Sequence, residues 1–307
     1  MADMTGRDFI SVSDLNADEL VRILDAADAF KRALKRGEVV RSLEDKMVAL
    51  IFQKPSTRTR VSFEAAVCHL GGSPVTLNAS ELQLGRGETI ADTGRVLSRY
   101  VNAITLRTFS HREVEELAQA ADVPVINALT DLEHPCQVLA DLMTVRERLG
   151  KLEEVRIAYV GDGNNVANSL ALGCALAGME LRFACPEEYE PDFRIRSRAQ
   201  QISDKEITNY IRAVDAVSGA QVVYTDVWTS MGQEEDHKKK RELEPFRIDA
   251  ELLRHADPEA IVMHCLPAHR GEEITDDVID GPRSAVWDQA ENRMHAQAAL
   301  LSLLVGG

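Results

Sequence analysis

No apolar stretch in this sequence reaches the roughly 18 residues that would suggest a membrane-crossing helix, and the N-terminus lacks the charged-then-apolar order of a secretory signal. The expectation is a cytoplasmic protein with no membrane partner. Positive charge is short as well: 35 Lys and Arg stand against 50 Asp and Glu, a formal net charge of −15. Neutralising a nucleic-acid backbone takes a basic face that this chain does not supply, so nucleic acid is not an expected partner. An anionic small molecule would need its own cluster of arginines. Disulfides are not expected, because Cys68, Cys136, Cys174, Cys185 and Cys265 are odd in number and scattered, which fits reduced thiols. Proline is sparse, at 10 residues, and 45% apolar with 28% charged residues is an ordinary globular composition, far from that of a disordered chain.

At 307 residues the chain exceeds the length at which a single core usually stops growing, so two domains with a cleft are expected. Short apolar runs at 47–52, 103–106, 123–126, 155–160, 181–185, 222–224, 261–264 and 285–287 alternate with helical stretches. That alternation predicts an α/β protein, each domain a parallel sheet flanked by helices. Val61, Ala65 and Cys68, with the Val67/Leu70 pair, mark one side of a helix that Gly71 and Gly72 would end, and residues 170–177 read as another buried helix. A helix over 133–149 ends near Gly150 and polar residues precede a fresh strand, which puts the domain change there, between 1–149 and 150–307. The spacing of a last helix, about 291–305, does not assign it to either domain, and a return to the first is one of the two arrangements open to it. The charged run 234–242 reads as a solvated loop.

Lys54-Pro-Ser-Thr-Arg-Thr-Arg60 directly follows a strand and opens a helix. Ser56 suits the N-cap, the free first-turn amides and the helix dipole favour negative charge, and Ser56, Thr57, Thr59 and Arg58 add donors. A phosphate suits such a turn; the plainer alternative is a capped helix with surface arginines. His134-Pro-Cys-Gln137 opens another helix, and Arg107 ends a strand of the same half. Ligands of open parallel sheets bind at the strands' carboxyl ends, so Arg58, Arg107, His134 and Gln137 are expected at one edge, as a site for an electrophile.

In the second half, Gly161-Asp-Gly-Asn-Asn165 has part of a dinucleotide fingerprint, but Val166 replaces the third glycine, and Cys185 and Pro186 end the next strand where an acid would stand. A nucleotide-dependent dehydrogenase is therefore a distant alternative. Asn164, Asn165 and Asn168 suit a small ligand with a carboxylate, although helix capping accounts for one of them. Asp226-Val-Trp-Thr-Ser-Met231 offers a carboxylate, a hydroxyl and free amides, suited to an amino acid. His264-Cys-Leu-Pro-Ala-His269 suggests a metal through His264, Cys265 and His269, but no further ligand pair accompanies them and no metal is expected. Cys265 at a strand end is instead a group for proton handling or for a hydrogen bond to an amine. Arg293 opens the final helix, where it would either close over the anion or lie on the surface.

In this order the motifs resemble the carbamoyltransferase family, over about residues 8–302. The STRTR and HPCQ segments are the family-level signals. The resemblance implies a carbamoyl phosphate site made from Ser56, Thr57, Arg58 and Thr59 with Arg107, His134, Pro135, Cys136 and Gln137, bordered by Cys265, Leu266 and Arg293. It further implies that Gln83 reaches a neighbouring subunit's site, making a homotrimer, or a multiple of trimers, the working unit. Asp226 with Ser230-Met231-Gly232, and His264-Cys-Leu-Pro267, resemble the branch that uses L-ornithine; the aspartate-using branch carries a proline where Cys265 stands. Asn165, Asp226, Ser230 and Met231 are then implied to hold the α-amino and α-carboxylate groups, with Arg58, Arg107, His134 and Cys265 as the catalytic set and no cofactor. A putrescine-using relative would lack the SMG loop, and a non-catalytic amino-acid sensor would have lost the Arg58 cluster or Cys265.

Overall fold

A computed structural model describes residues 3–78, 87–229 and 236–306. The chain divides into two compact units, Met1–Leu139 with Arg293–Gly307, and Ala140–Asn292. The first unit holds α1 (Ala17–Lys35), β1 (Met47–Phe52), α2 (Thr57–His69), β2 (Ser73–Asn78), α3 (Ile90–Leu97), β3 (Ala103–Arg107), α4 (His111–Ala120), β4 (Val125–Leu129) and the start of α5 (Pro135–Leu149). Its strands form a parallel sheet in the order β2-β1-β3-β4. Parallel strands covered on both faces need nearly continuous apolar sequence, and β1 supplies it: every residue after Met47 is buried. Ile51, Ile104 and Leu106 pack there with Val114 and Leu117 of α4, each burial worth about 1.5–3 kcal/mol.

The second unit runs from the remainder of α5 through β5 (Arg156–Val160), α6 (Asn165–Leu176), β6 (Glu180–Ala184), α7 (Phe193–Ile202), β7 (Ile207–Asn209), α8 (Ala213–Val217), β8 (Val222–Thr225), α9 (His237–Leu243), α10 (Ala250–Leu253), β9 (Ile261–His264), α11 (Asp276–Ile279) and the first turns of α12 (Val286–Val305). Its sheet is again parallel, in the order β7-β6-β5-β8-β9. From Arg293 onward α12 belongs to the first unit, where Gly6 N donates to Leu304 O at 2.9 Å and the Ser42 and Ser302 hydroxyls meet at 2.7 Å. The C-terminal helix thus does return to the first unit. The boundary expected at 149/150 coincides with the end of α5, while the units themselves divide at 139/140, inside that helix.

Other expectations need correction. Residues 286 and 287 open α12 and Ala285 only precedes it; the extended backbone ends at the bridge between Val262 and Ser284. A short apolar triplet cannot be told from a buried helical turn by periodicity. The edge strands β2 and β7 escaped notice, the first carrying Pro74 and polar residues, the second only Ile-Thr-Asn. The run expected to be a loop is helical from His237, capped by Asp236; residues 234 and 235 lie outside the described ones. On α2 the buried face is Thr59, Phe63, Ala66 and Val67, whereas Val61 and Cys68 are exposed. Among the described residues no helix is long and apolar enough to cross a membrane.

Each sheet has one point where successive connections leave in opposite directions, between β1 and β3 in the first and between β5 and β8 in the second. Loops parting at such a point open a crevice at the strands' carboxyl ends, the usual ligand position in this architecture.

Candidate active site

In the first unit, Phe52 and Arg107 are register partners, and Gln53 N donates to Arg107 O at 2.8 Å, which sets Arg107 beside the segment leading into α2. Ser56 caps that helix, its hydroxyl accepting from Thr59 N at 3.3 Å. Thr57 and Arg58 stand exposed on the first turn, and Thr59 faces inward. Thr59 Oγ1 accepts from Arg107 Nη1 at 3.2 Å and from Arg293 Nη2 at 3.1 Å, while Arg293 Nη1 donates to Gln137 Oε1 at 2.6 Å. Two buried guanidiniums so placed repel each other, and an anion that accepts from both relieves the repulsion.

His134 is 4% exposed, and its imidazole is held well below its ordinary range, first by burial and then by Arg293 and Arg107. A neutral ring can donate a hydrogen bond without adding positive charge. Pro135 and Cys136 are buried at the start of α5. The Cys136 thiol donates to Asn127 O at 3.4 Å, and burial pushes it up to about 12, so its side chain ties β4 to α5 and is not a reactive thiol. Lys54 is also structural: it pairs with Asp131 and lies 4.0 Å from the Phe109 ring centroid. Gln83 lies outside the described residues.

In the second unit, Thr225 and His264 are register partners, so the next residue of each strand emerges beside the other. Cys265 Sγ accordingly donates to Asp226 Oδ1 at 2.9 Å, and Asn164 Nδ2 donates to Asp226 Oδ2 at 2.7 Å. Asn165 is half-buried on the first turn of α6. Asn168 is buried one turn further on, and its Oδ1 accepts from Asp192 N at 2.9 Å. Ser230 and Met231 lie outside the described residues.

Behind Cys265 stands a buried polar network that the sequence reading missed. Leu266 N donates to His264 Nδ1 at 2.9 Å, which leaves the ring proton on Nε2, 3.0 Å from Glu273 Oε1. His264 N donates to Gln289 Oε1, and Gln289 Nε2 donates to Asp141 Oδ1 at 2.8 Å and Tyr224 Oη at 3.0 Å. These bonds hold Leu266 at φ 59, a left-handed conformation that costs a branched residue about 1–3 kcal/mol and persists only where neighbours fix it. A signal for Asp141 did exist: Gln137, Asp141 and Thr144, in line with His134 just before the helix, recur at helical spacing among the apolar residues of the first turns of α5.

Asp226, His264 and Cys265 offer ligand atoms within 4.8 Å of one another, so Asp226, not His269, is the third member of that group. Both nitrogens of His264 are already engaged, which removes the group's one neutral ligand. His269 stands instead with Glu272 and Glu273, where Lys240 pairs with Glu272 at 2.8 Å.

The first unit thus carries a buried arginine pair sharing the Thr59 hydroxyl, and the second a carboxylate–thiol pair at its strand ends. Residues 7–147 match the carbamoyl-P binding domain of aspartate/ornithine carbamoyltransferases, and residues 153–304 match the Asp/Orn binding domain. The chain belongs to the aspartate/ornithine carbamoyltransferase family. It is 53% identical over 311 residues to the anabolic ornithine carbamoyltransferase of Pyrococcus furiosus, covering 100% of this chain and 99% of that one. It is 52% identical over 310 residues to the ornithine carbamoyltransferase of Carboxydothermus hydrogenoformans, covering all of both. The solved structure of ornithine carbamoyltransferase from Pyrococcus furiosus superimposes with a TM-score of 0.97 at 52% identity, covering 100% of this chain and 99% of that one.

Proposed function

We propose that this chain transfers the carbamoyl group of carbamoyl phosphate to the side-chain amine of L-ornithine, giving L-citrulline and phosphate. The observation that carries the choice of acceptor is the Asp226–Cys265 pair at the carboxyl ends of β8 and β9, with β8 flanking the switch point of the second sheet. An aspartate acceptor would bring two carboxylates and one amine towards Asp226, whereas ornithine brings one carboxylate and two amines. The similarity to ornithine enzymes over the whole chain supports the same reading.

Arg58, Arg107, Arg293, Thr59 and the first-turn amides of α2 neutralise the phosphate leaving group, and neutral His134 donates to the carbonyl oxygen as it gains charge. The acceptor amine resembles lysine, whose pKa near 10.4 leaves roughly one molecule in a few thousand as free base at neutral pH. Asp226 and Cys265 orient it, the arginine-rich site disfavours its cation, and the departing phosphate accepts its proton. Rising kcat/KM along the ornithine ionisation is expected, and a flat pH profile would sink this step. Asn165, Asp226, Ser230 and Met231 hold the α-amino and α-carboxylate groups. Gln83 serves the site of a neighbouring copy in a homotrimer.

The direct test assays carbamoyl transfer to ornithine, putrescine, N-acetylornithine and aspartate at matched concentrations. Preference for ornithine is expected. Activity with another amine alone would overturn the acceptor assignment and leave the carbamoyl phosphate site standing.

A further inference from the structure

We propose that Asn164 is a positioning residue for Asp226, fixing the plane of the carboxylate that is presented to Cys265 and to an amino group of the substrate. The inference rests on the reading that Asp226 receives such a group, and it begins with what holds Asn164. Asn164 is the N-cap of α6, and its side chain accepts from Val166 N at 2.9 Å and Ala167 N at 3.3 Å. Backbone amides only donate, so the side-chain oxygen must face the helix. The amide NH2 must then face outward, towards Asp226 Oδ2 at 2.7 Å, and an ionised carboxylate only accepts. One side chain therefore serves as helix cap and carboxylate clamp together, and neither role permits the amide to flip.

The surroundings hold that geometry. Tyr159 Oη donates to Asp162 O at 2.8 Å and lies 3.3 Å from Asn164 Oδ1, and its ring stacks on Tyr224 with centroids 5.7 Å apart. Asp162, whose carboxyl is raised by burial and drawn back by Lys239 at 2.8 Å, fixes the same turn from its other side. With one oxygen clamped by Asn164 the other is turned to Cys265 Sγ, and twisting the carboxylate out of that plane would break both bonds. None of the residues implied by the family resemblance performs this task.

The cap and the clamp separate by mutation. Aspartate and serine both cap helices about as well as asparagine, but neither offers the NH2 group. In Asn164→Ser the midpoint of thermal unfolding should stay near that of the unaltered protein, while in Asn164→Asp the facing carboxylates should lower it. The KM for ornithine should rise about ten- to hundredfold, the usual cost of a lost hydrogen bond to a charged group, with the carbamoyl phosphate constant unchanged. A readout that needs no substrate is alkylation of Cys265 by iodoacetamide across pH, in a Cys68→Ser background. Asn164→Asp sets a second carboxylate beside Asp226, so the alkylation midpoint should move up. Unaltered ornithine kinetics with an unmoved alkylation profile would overturn the proposal, as would equal losses for both substrates alongside a lower unfolding midpoint in Asn164→Ser. Failure of the acceptor reading shows separately, as an unaltered protein inactive with ornithine, and the alkylation profile then decides the role of Asn164 alone.

Discussion

Thr59 shows how much of a site one hydroxyl can organise. It accepts from both Arg107 and Arg293, so Thr59→Val would leave two buried guanidiniums without that acceptor at almost constant volume. Carbamoyl phosphate affinity should fall about ten- to hundredfold, with Thr59→Ser close to the unaltered protein. Equal binding by the valine variant in a calorimetric titration would remove Thr59 from the site. His134 carries a different expectation, in pH. Its folded-state pKa lies below the 6.5 of a free imidazole, so below about 6.5 the unfolded chain binds a proton that the folded chain refuses. This neutral histidine contributes stability that is fully present above pH 6.5 and is lost as pH falls from there towards the depressed value. In urea titrations at pH 7.5 and 5.5, His134→Asn should lose less stability between the two than the unaltered protein does. Equal losses would mean that His134 is not buried neutral. His134 and Thr59 were legible in the sequence because their motifs open helices after strands. Asn164 was legible only as a small polar group suited to a ligand or to capping, because its bond to Asp226 spans 62 positions.

At the scale of elements, the turn from β5 to α6 is where backbone and site are most tightly joined. A Cβ on Gly163 would stand 2.3 Å from Pro191 N and 2.5 Å from Tyr189 O, both backbone atoms that no rotamer can move aside. Gly163→Ala should therefore cost about 1–3 kcal/mol and shift Asn164, so that the KM for ornithine rises while carbamoyl phosphate binding holds. A variant of unaltered stability and kinetics would show that the turn yields freely. The glycine was conspicuous in the sequence, but it invited comparison with a nucleotide fingerprint; only the 189–191 segment against it explains why no side chain fits. Strands buried along their whole length were legible, as in β1 after Met47 and in the edge strand β9. The edge strands β2 and β7 were not, since three half-buried residues in β7 leave no period to read. α12 was found at its end but not at its start, because the apolar turn from Ala285 to Trp287 imitates a strand.

For the molecule as a whole, sequence patterning predicted two parallel α/β units, while the path of the chain through them was left open: only the structure shows the division falling within α5 and again within α12. The proposed assembly is a property of the same scale, because Gln83 can matter to catalysis only through the copy to which it belongs. If Gln83 serves a neighbour's site, Arg58→Ala and Gln83→Ala each silence every site in their own homotrimer, for different reasons. Co-expression of the two variants then rebuilds sites that take Arg58 from one chain and Gln83 from the other. Each contribution is intact with a chance of one half, so random assembly should restore about a quarter of the unaltered activity per site, with the particles sedimenting as trimers or their multiples. Were Gln83 to act within its own chain, no mixed assembly could place both residues in one site and the recovery would be nil. Full activity of Gln83→Ala alone would remove it from catalysis, and an active monomer at assay concentration would remove the trimer.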